Sequence, residues 1–99
     1  MDLVRLRTLR ELAMRTTMAA VADALRISPS AVSQQIAQLE DELQVELVER
    51  RGRGVLLTPA GKRLVAHVEK LTATLEEAKA QLKKSWETWK ASAWLKVRD

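Results

Sequence analysis

The feature that most constrains this chain is an apolar seam in its second half. Apolar or small residues recur there at alternating steps of four and three positions, a heptad pattern that lasts for more than three heptads. The seam consists of Leu64, Val68, Leu71, Leu75, Ala78, Leu82, Ser85 and Trp89. A helix from residue 59 to about residue 90 would be roughly 48 Å long, which is more than a small domain can cover.

The length of the seam therefore predicts a dimerisation helix. We expect a homodimer, or a higher oligomer, in which every seam residue except Ser85 contacts a second copy of the chain. The same residues could instead belong to the core of one subunit, although the length of the helix favours dimerisation.

Composition argues against an enzyme. The 99-residue chain has no cysteine, which excludes disulfides and thiolate metal sites. Its single histidine, His67, argues against a metal site or a histidine-based triad. A chain this small can scarcely form a cleft for carboxylate catalysis. We therefore expect no catalytic residue, no metal site and no cofactor. No stretch reaches the roughly 18 to 20 apolar residues of a membrane span, and the first ten residues are too charged for a signal peptide. These features predict a cytoplasmic protein.

The distribution of charge is compatible with a nucleic-acid partner. The chain carries 17 basic and 13 acidic residues, a net charge of +4. Every basic residue before Lys62 is an arginine, the side chain that binds phosphate or a guanine edge with two parallel hydrogen bonds. By composition alone, solvated surface charge and polyanion binding remain equally open.

Three short helices are predicted in the first 43 residues. Asp2 is a plausible N-cap for the first helix, and Thr17 for a second helix over residues 18–25. Ser28 followed by Pro29 gives the strongest local signal, because a serine cap before a proline satisfies free amides and presets the helical backbone. The third helix should run to about Leu43. Its buried stripe is expected at Val32, Ile36, Leu39 and Leu43, and its exposed side at Ser30, Ser33, Gln34, Gln35 and Gln38.

A two-stranded hairpin is predicted after the third helix. Short apolar runs at residues 47–50 and 55–57 lie on either side of a glycine-containing turn, which places Arg51 and Arg53 at the tip. Thr58 and Pro59 then repeat the cap arrangement and begin the fourth helix. The fold class is therefore mainly α, a winged helix-turn-helix of three helices and a two-stranded β wing, followed by a long dimerisation helix. We divide the chain into residues 1–58, 59–90 and a tail, 91–99.

This arrangement suggests a role for the exposed polar residues. Gln34 and Gln35 can offer paired donor and acceptor groups to a base edge. Ser30 and Ser33 are short enough for the helix to approach DNA closely, and Ser28 and Pro29 begin the helix whose N-terminus attracts phosphate. Polar residues on a helix face are, in the plainer interpretation, only solvated. Arg50 follows an acidic run and is expected to form an ion pair within the chain.

The chain resembles the N-terminal part of LysR-type transcriptional regulators. The resemblance is carried by the start MDLVRLRTLRELA, the segment VADALRISPSAVSQQIAQLEDEL and the wing LVERRGRGVLLTPAG. It implies a recognition helix in the major groove, a wing in the minor groove and antiparallel pairing of the fourth helices. It further implies groove contacts from Pro29, Ser30, Ser33, Gln34 and Arg53, and phosphate contacts near Thr17 and Arg51. The expected partner is double-stranded DNA carrying an interrupted inverted repeat.

The chain departs from the family pattern at several positions. Aliphatic residues replace the usual aromatic residues at Leu9, Met18 and Val48, Gln44 replaces a usual glycine, and Gln34 replaces a frequent basic residue. Gln44 is poorly suited to a left-handed helix end, which weakens the prediction of where the third helix stops.

The resemblance also bears on the end of the chain. Family members continue into an effector-binding domain, and residues 94–97 resemble its first strand. A small-molecule effector is therefore expected only of a longer form of the protein.

Two other functions are compatible with the same patterns. A helical protein–protein adaptor could use the heptad seam and a basic surface without binding DNA, and would have no affinity for a duplex. A stand-alone winged-helix repressor of another family is the nearer alternative. The length of the native gene product separates these cases.

Overall fold

A computed structural model describes the backbone of residues 1–98 and the side chains of residues 1–93. It contains four helices and one antiparallel hairpin in the predicted order, which confirms the winged helix-turn-helix class. The elements are α1 (Leu3–Arg15), α2 (Met18–Leu25), α3 (Pro29–Leu43), β1 (Val48–Arg51), β2 (Gly54–Leu57) and α4 (Pro59–Arg98).

Local capping explains where each helix begins. The side-chain oxygens of Asp2, Thr17 and Ser28 accept hydrogen bonds from the backbone amides three residues later, at 2.9, 3.1 and 3.1 Å. Thr58 does the same for the amide of Gly61 at 3.0 Å. Each cap satisfies an amide that the helix itself leaves without a partner. All four predicted caps are therefore confirmed.

The first three helices end in an unusual way. Thr16, Arg26 and Gln44 follow α1, α2 and α3 with left-handed φ values of 66°, 59° and 58°. Glycine is the residue that adopts this conformation without strain. Gln44 does so with the help of its own side chain, whose Nε2 donates to the carbonyl of Asp41 at 2.6 Å. The third helix therefore ends at Leu43 as predicted, despite the missing glycine.

An aliphatic core holds the first part of the chain together. Residues 1–69 form one compact unit, whose buried side chains come from all three short helices, the segment before β1, the hairpin and the first part of α4. They are Leu6, Leu9, Leu12, Val21, Ala22, Val32, Ile36, Leu39, Leu47, Val55 and Val68. The predicted stripe of α3 is confirmed at Val32, Ile36 and Leu39, while Leu43 is half-buried against the core. The compact unit extends eleven residues beyond the boundary predicted at residue 58.

The hairpin is tied to the helices by its second strand. Val48 pairs with Leu57 and Arg51 with Gly54 in an antiparallel register, so the turn consists of Gly52 and Arg53. Gly52 has a φ of 60°, which a hairpin turn requires and glycine supplies at little cost. The amide of Val55 donates to the carbonyl of Thr16 at 2.8 Å. The wing is therefore anchored to the segment between α1 and α2.

The start of α4 passes very close to the segment before β1. The amide of Thr58 donates to the carbonyl of Leu47 at 3.0 Å, and its hydroxyl donates to the carbonyl of Glu46 at 2.6 Å. Gly61 is buried there, and a Cβ added to it would lie 2.1 Å from the Leu47 carbonyl oxygen. The absence of a side chain at position 61 is therefore a condition for this packing.

The last helix is longer than predicted. α4 continues to Arg98, so the predicted end near residue 90 is wrong. Residues 94–97, which resemble a strand in the family pattern, have helical backbone. The physical reason is local, since no glycine or proline follows Gly61 to end the helix. The predicted tail also includes residue 99, which lies outside the described residues. None of the described helices has the length and apolarity that a membrane crossing requires.

Candidate nucleic-acid interface

The exposed face of α3 has the polar character that the sequence predicted. Ser30, Gln34 and Gln38 are all exposed, and Pro29 forms the first helical position behind the Ser28 cap. The N-terminal half of this face carries no charge. Its C-terminal half carries the exposed acids Asp41 and Glu42, which would repel a phosphate backbone. The N-terminal half is therefore the part of α3 suited to approach a nucleic acid.

Ser33 lies on the side of α3 that faces the wing. Its hydroxyl accepts a hydrogen bond from the Arg50 guanidinium at 3.2 Å. Arg50 was expected to pair with a carboxylate, and within the described residues it contacts this serine instead. The contact joins α3 to β1 across a groove that Met18 also lines. Ser33 is therefore half-buried and already engaged, unlike the exposed Ser30 one turn earlier.

Gln35 lies on the opposite side of α3, where it was expected to be exposed. It is half-buried, and its Oε1 accepts a hydrogen bond from the hydroxyl of the buried Thr8 at 2.6 Å. The prediction that Gln35 lies on the exposed side of α3 is therefore wrong, and the half-buried Ser33 departs from it in the same way. The period of the helix could not reveal this, because the contact depends on how α1 packs against α3.

The wing presents its two tip arginines differently. Arg51 is paired with Glu49 on the same strand, through Nε and Oε1 at 2.8 Å. Both side chains of this pair are exposed, and such surface pairs are weak. Arg53 is exposed in the turn itself and forms no ion pair with any residue that the structure describes. Arg53 is therefore ready to bind an anion, whereas Arg51 must first leave Glu49.

Two further residues position the interface. Thr17 is half-buried, and its hydroxyl caps α2. Glu40 was not singled out in the sequence, yet its Oε2 accepts hydrogen bonds from the amides of Leu47 and Val48, at 2.8 and 3.4 Å. Hydrogen bonds to a charged acceptor are among the stronger ones in proteins. Glu40 therefore links α3 to the base of the wing, a role hidden by the surrounding run of acids.

The predicted dimerisation residues fall into two groups. Val68 is only 1% exposed and belongs to the core of its own subunit, so its assignment to a dimer contact is wrong. Leu64 is half-buried against the same core. The seam residues beyond position 70 are different, with Leu71 and Leu75 close to half exposed, and Leu82 and Trp89 more so. Ala78 is half-buried.

The far part of α4 also presents an aromatic pair. Trp86 and Trp89 stack with their ring centroids 5.3 Å apart, and both are more than half exposed. The described part of α4 after residue 70 therefore presents large apolar side chains to solvent, which is uncommon for a surface without a partner.

Comparison with known proteins identifies a family. The family model described as "Bacterial regulatory helix-turn-helix protein, lysR family" matches residues 3–62. Among curated proteins, the transcriptional dual regulator GltC of Bacillus subtilis is 44% identical over 82 residues. The regulator HdfR of Yersinia enterocolitica is 37% identical over 82 residues. Each alignment covers 83% of this chain but only 27% and 28% of the relative, so the chain spans about a quarter of the length of these proteins.

Solved structures share the same fold. A crystal structure of the BenM DNA-binding domain with catB site 1 DNA is 31% identical, with a TM-score of 0.80. The match covers 85% of this chain and 93% of that one. Full-length LysG of Corynebacterium glutamicum, solved with the bound effector Arg, is 36% identical with a TM-score of 0.78. That match covers 84% of this chain and 28% of LysG.

Proposed function

Because the chain belongs to the LysR family of bacterial helix-turn-helix regulators, we propose that it binds double-stranded DNA sequence-specifically, as a dimer, to regulate transcription in the cytoplasm. Its relatives are transcriptional regulators, which are not enzymes. In this proposal α3 is the recognition helix and lies in the major groove, while the hairpin is a wing that reaches the minor groove.

One observation carries the proposal. The neutral polar half of the α3 surface, with Ser30 and Gln34, lies beside a wing whose turn presents Arg53. A protein that reads a duplex needs hydrogen-bonding groups at the base edges and cations near the phosphates. The arrangement supplies both on one side of the compact unit. A protein–protein adaptor would have no need for an uncharged helix face flanked by arginines.

Each group has a distinct part in this interface. Gln34 would bind an adenine edge through its amide, since glutamine can offer a donor and an acceptor together. Arg53 would enter the minor groove, where the negative potential is strong. Pro29 and Ser30 lie at the start of α3 and allow a close approach of the backbone. Ser33 and Arg50, which are bonded to each other, contribute by holding the recognition helix against the wing.

The second half of α4 supplies the proposed dimer contact. The exposed residues Leu71, Leu75, Leu82 and Trp89 would be buried against a second copy, whereas Val68 stays in its own core. Antiparallel pairing of the two helices would place two recognition helices on one duplex. An interrupted inverted repeat is the site expected for a two-fold dimer. We propose a small-molecule effector only for a longer form of the protein; LysG was solved at full length with a bound effector.

Selection of bound duplexes from a random pool tests the proposal. We expect the chain to enrich an inverted repeat with half-sites about one helical turn apart. On that duplex, Gln34→Ala should relax the preference at one or two base pairs and cost about 1 to 3 kcal/mol. Arg53→Ala should instead weaken binding to selected and random duplexes alike, and lower the salt dependence by about one unit of log–log slope per bound copy of the chain.

Two outcomes would contradict the proposal. If the wild-type chain has no measurable affinity for any duplex at low salt, the adaptor interpretation replaces it. If Gln34→Ala and Arg53→Ala give the same loss on selected and random DNA, the division between base reading and phosphate binding is wrong.

A further inference from the structure

Two arginines that the sequence analysis did not single out lie next to the recognition helix, on the side away from the wing. Arg7 belongs to α1, and Arg26 is the residue at which α2 ends. Both side chains are exposed. Together with Thr8 and Gln35 they line a shallow pocket of about 350 Å³, whose remaining wall is mostly apolar.

These two arginines differ from most of the others in residues 1–58 because they lack a partner. Four of the others are in ion pairs: Arg5 with Asp2, Arg10 with Glu69, Arg15 with Glu11 and Arg51 with Glu49. Arg50 donates to Ser33. Within the described part of the chain, Arg7, Arg26 and Arg53 are left without an ion pair or a side-chain hydrogen bond. Arg53 already has a role at the wing, so the other two call for an explanation.

The backbone of Arg26 shows whether the end of α2 requires an arginine. Arg26 has φ 59° and ψ 45°, in the left-handed region, and its amide closes α2 by donating to the carbonyl of Ala22. A glycine would adopt this conformation at lower cost. The helix end itself therefore does not call for an arginine. Thr16 and Gln44 share this left-handed backbone, so the conformation explains neither the charge of Arg26 nor its exposure.

The position of the pocket relative to α3 indicates its ligand. Ser33 and Gln35 are about 200° apart around the helix axis, and Ser33 contacts the wing while Gln35 lines the pocket. A helix with its side chains is about 10 to 12 Å wide, close to the roughly 12 Å width of the major groove. Cations on the two flanks of α3 would therefore face the two phosphate backbones that border the groove.

We propose that Arg7 and Arg26 form a second phosphate-binding site, which takes a backbone phosphate of DNA at the groove edge opposite the wing. Gln35 assists from the recognition helix. The single proton of the Thr8 hydroxyl has two acceptors within reach, the carbonyl of Val4 at 3.0 Å and Oε1 of Gln35 at 2.6 Å. With the proton on the shorter contact, the amide N–H groups of Gln35 are left to donate to the same phosphate. The site rests on the proposed function, because it requires α3 to lie in the major groove. It assigns Gln35 to the backbone rather than to a base edge.

The test compares salt dependence with thermal stability for two variants. Arg7→Gln and Arg26→Gly should each weaken binding. For each variant, the factor should be the same on selected and on random duplexes. Each should also reduce the slope of log affinity against log salt by about one unit per bound copy of the chain. Arg26→Gly should at the same time raise Tm, because it relieves the left-handed strain. A gain in stability with a loss of affinity is a combination that a purely structural role would not produce.

Arg10→Gln is the matched control. It changes the same helix and removes the same charge as Arg7→Gln, but the Arg10 guanidinium is occupied by Glu69, with Nε and Oε1 2.6 Å apart. Its salt slope should stay at the wild-type value. If Arg10→Gln lowers the slope as much as Arg7→Gln does, the effect comes from net charge and the site is refuted.

Failure of this inference is distinguishable from failure of the proposed function. If the wild type binds duplexes and both Arg7→Gln and Arg26→Gly keep its affinity and slope, the second site is absent while DNA binding stands. If the wild type binds no duplex at low salt, both proposals fall together. If Arg7→Gln alone affects the slope, Arg26 has no part in the site and the two-arginine assignment is overturned.

Discussion

The two parts of this chain are stabilised by different means. Residues 1–69 bury eleven hydrophobic side chains in one core. Among residues 70–93, by contrast, no side chain is buried, although five of these residues are leucine or tryptophan. The first part can bury its apolar surface within one copy of the chain. The apolar surface of the second part stays exposed and, in our proposal, is covered by a second copy of the chain; isolated helices are only marginally stable in water.

The difference between the two parts of the chain is tested most directly by placing charge in the exposed seam. Leu71→Asp with Leu75→Asp puts four carboxylates into the proposed dimer contact. We expect a cost of at least about 4 kcal/mol, or roughly a thousandfold in the dimer Kd. Light scattering should report a monomer, and hydrogen exchange should show loss of protection after residue 70 while the core amides of residues 1–69 stay protected.

Ala73→Asp with Ala80→Asp is the control for this change. Both alanines are exposed and lie off the seam, so the same added charge should leave the dimer intact. A wild-type chain that is already monomeric, or a double leucine variant of unchanged mass, would show that the seam does not dimerise the protein.

A second change addresses the compact unit alone. Gly61→Ala would place a Cβ 2.1 Å from the Leu47 carbonyl oxygen, and backbone atoms cannot yield as a flexible side chain can. We expect a loss of about 3 kcal/mol in the free energy of unfolding, measured by denaturant titration. Gly54→Ala is the comparison, because its nearest neighbours would be at an ordinary 3.6 Å. Equal effects of the two changes would mean that α4 can shift away from Leu47 at little cost.

The smallest effect is expected at the helix ends of the compact unit. Thr16 is a β-branched residue with a φ of 66°, and glycine should relieve its strain. We expect Thr16→Gly to stabilise the fold by about 1 kcal/mol, seen as a rise in Tm. Thr17→Ala should do the opposite by a similar amount, because it removes the cap of α2. A fall in Tm for both variants would contradict the assignment of strain to Thr16.

Much of the fold could be predicted because its signals are local. Asp2, Thr17, Ser28 and Thr58 each cap a helix through an amide three residues away, so neighbouring residues suffice to place the helix starts. The hairpin likewise follows from two short apolar runs and Gly52. The exposure of Ser30 and Gln34, and of Arg53 in the turn, follows from helical periodicity and turn position.

The tertiary structure alone decided which residues far apart in the sequence contact each other. Thr8 and Gln35 are 27 positions apart and Arg10 and Glu69 are 59 apart, so no local pattern could pair them. The heptad pattern contains Val68 and Leu71 alike, yet packing buries the first in its own core and leaves the second exposed. Periodicity gives the face of a helix on which a side chain lies. Which surface covers that face depends on how the whole chain packs.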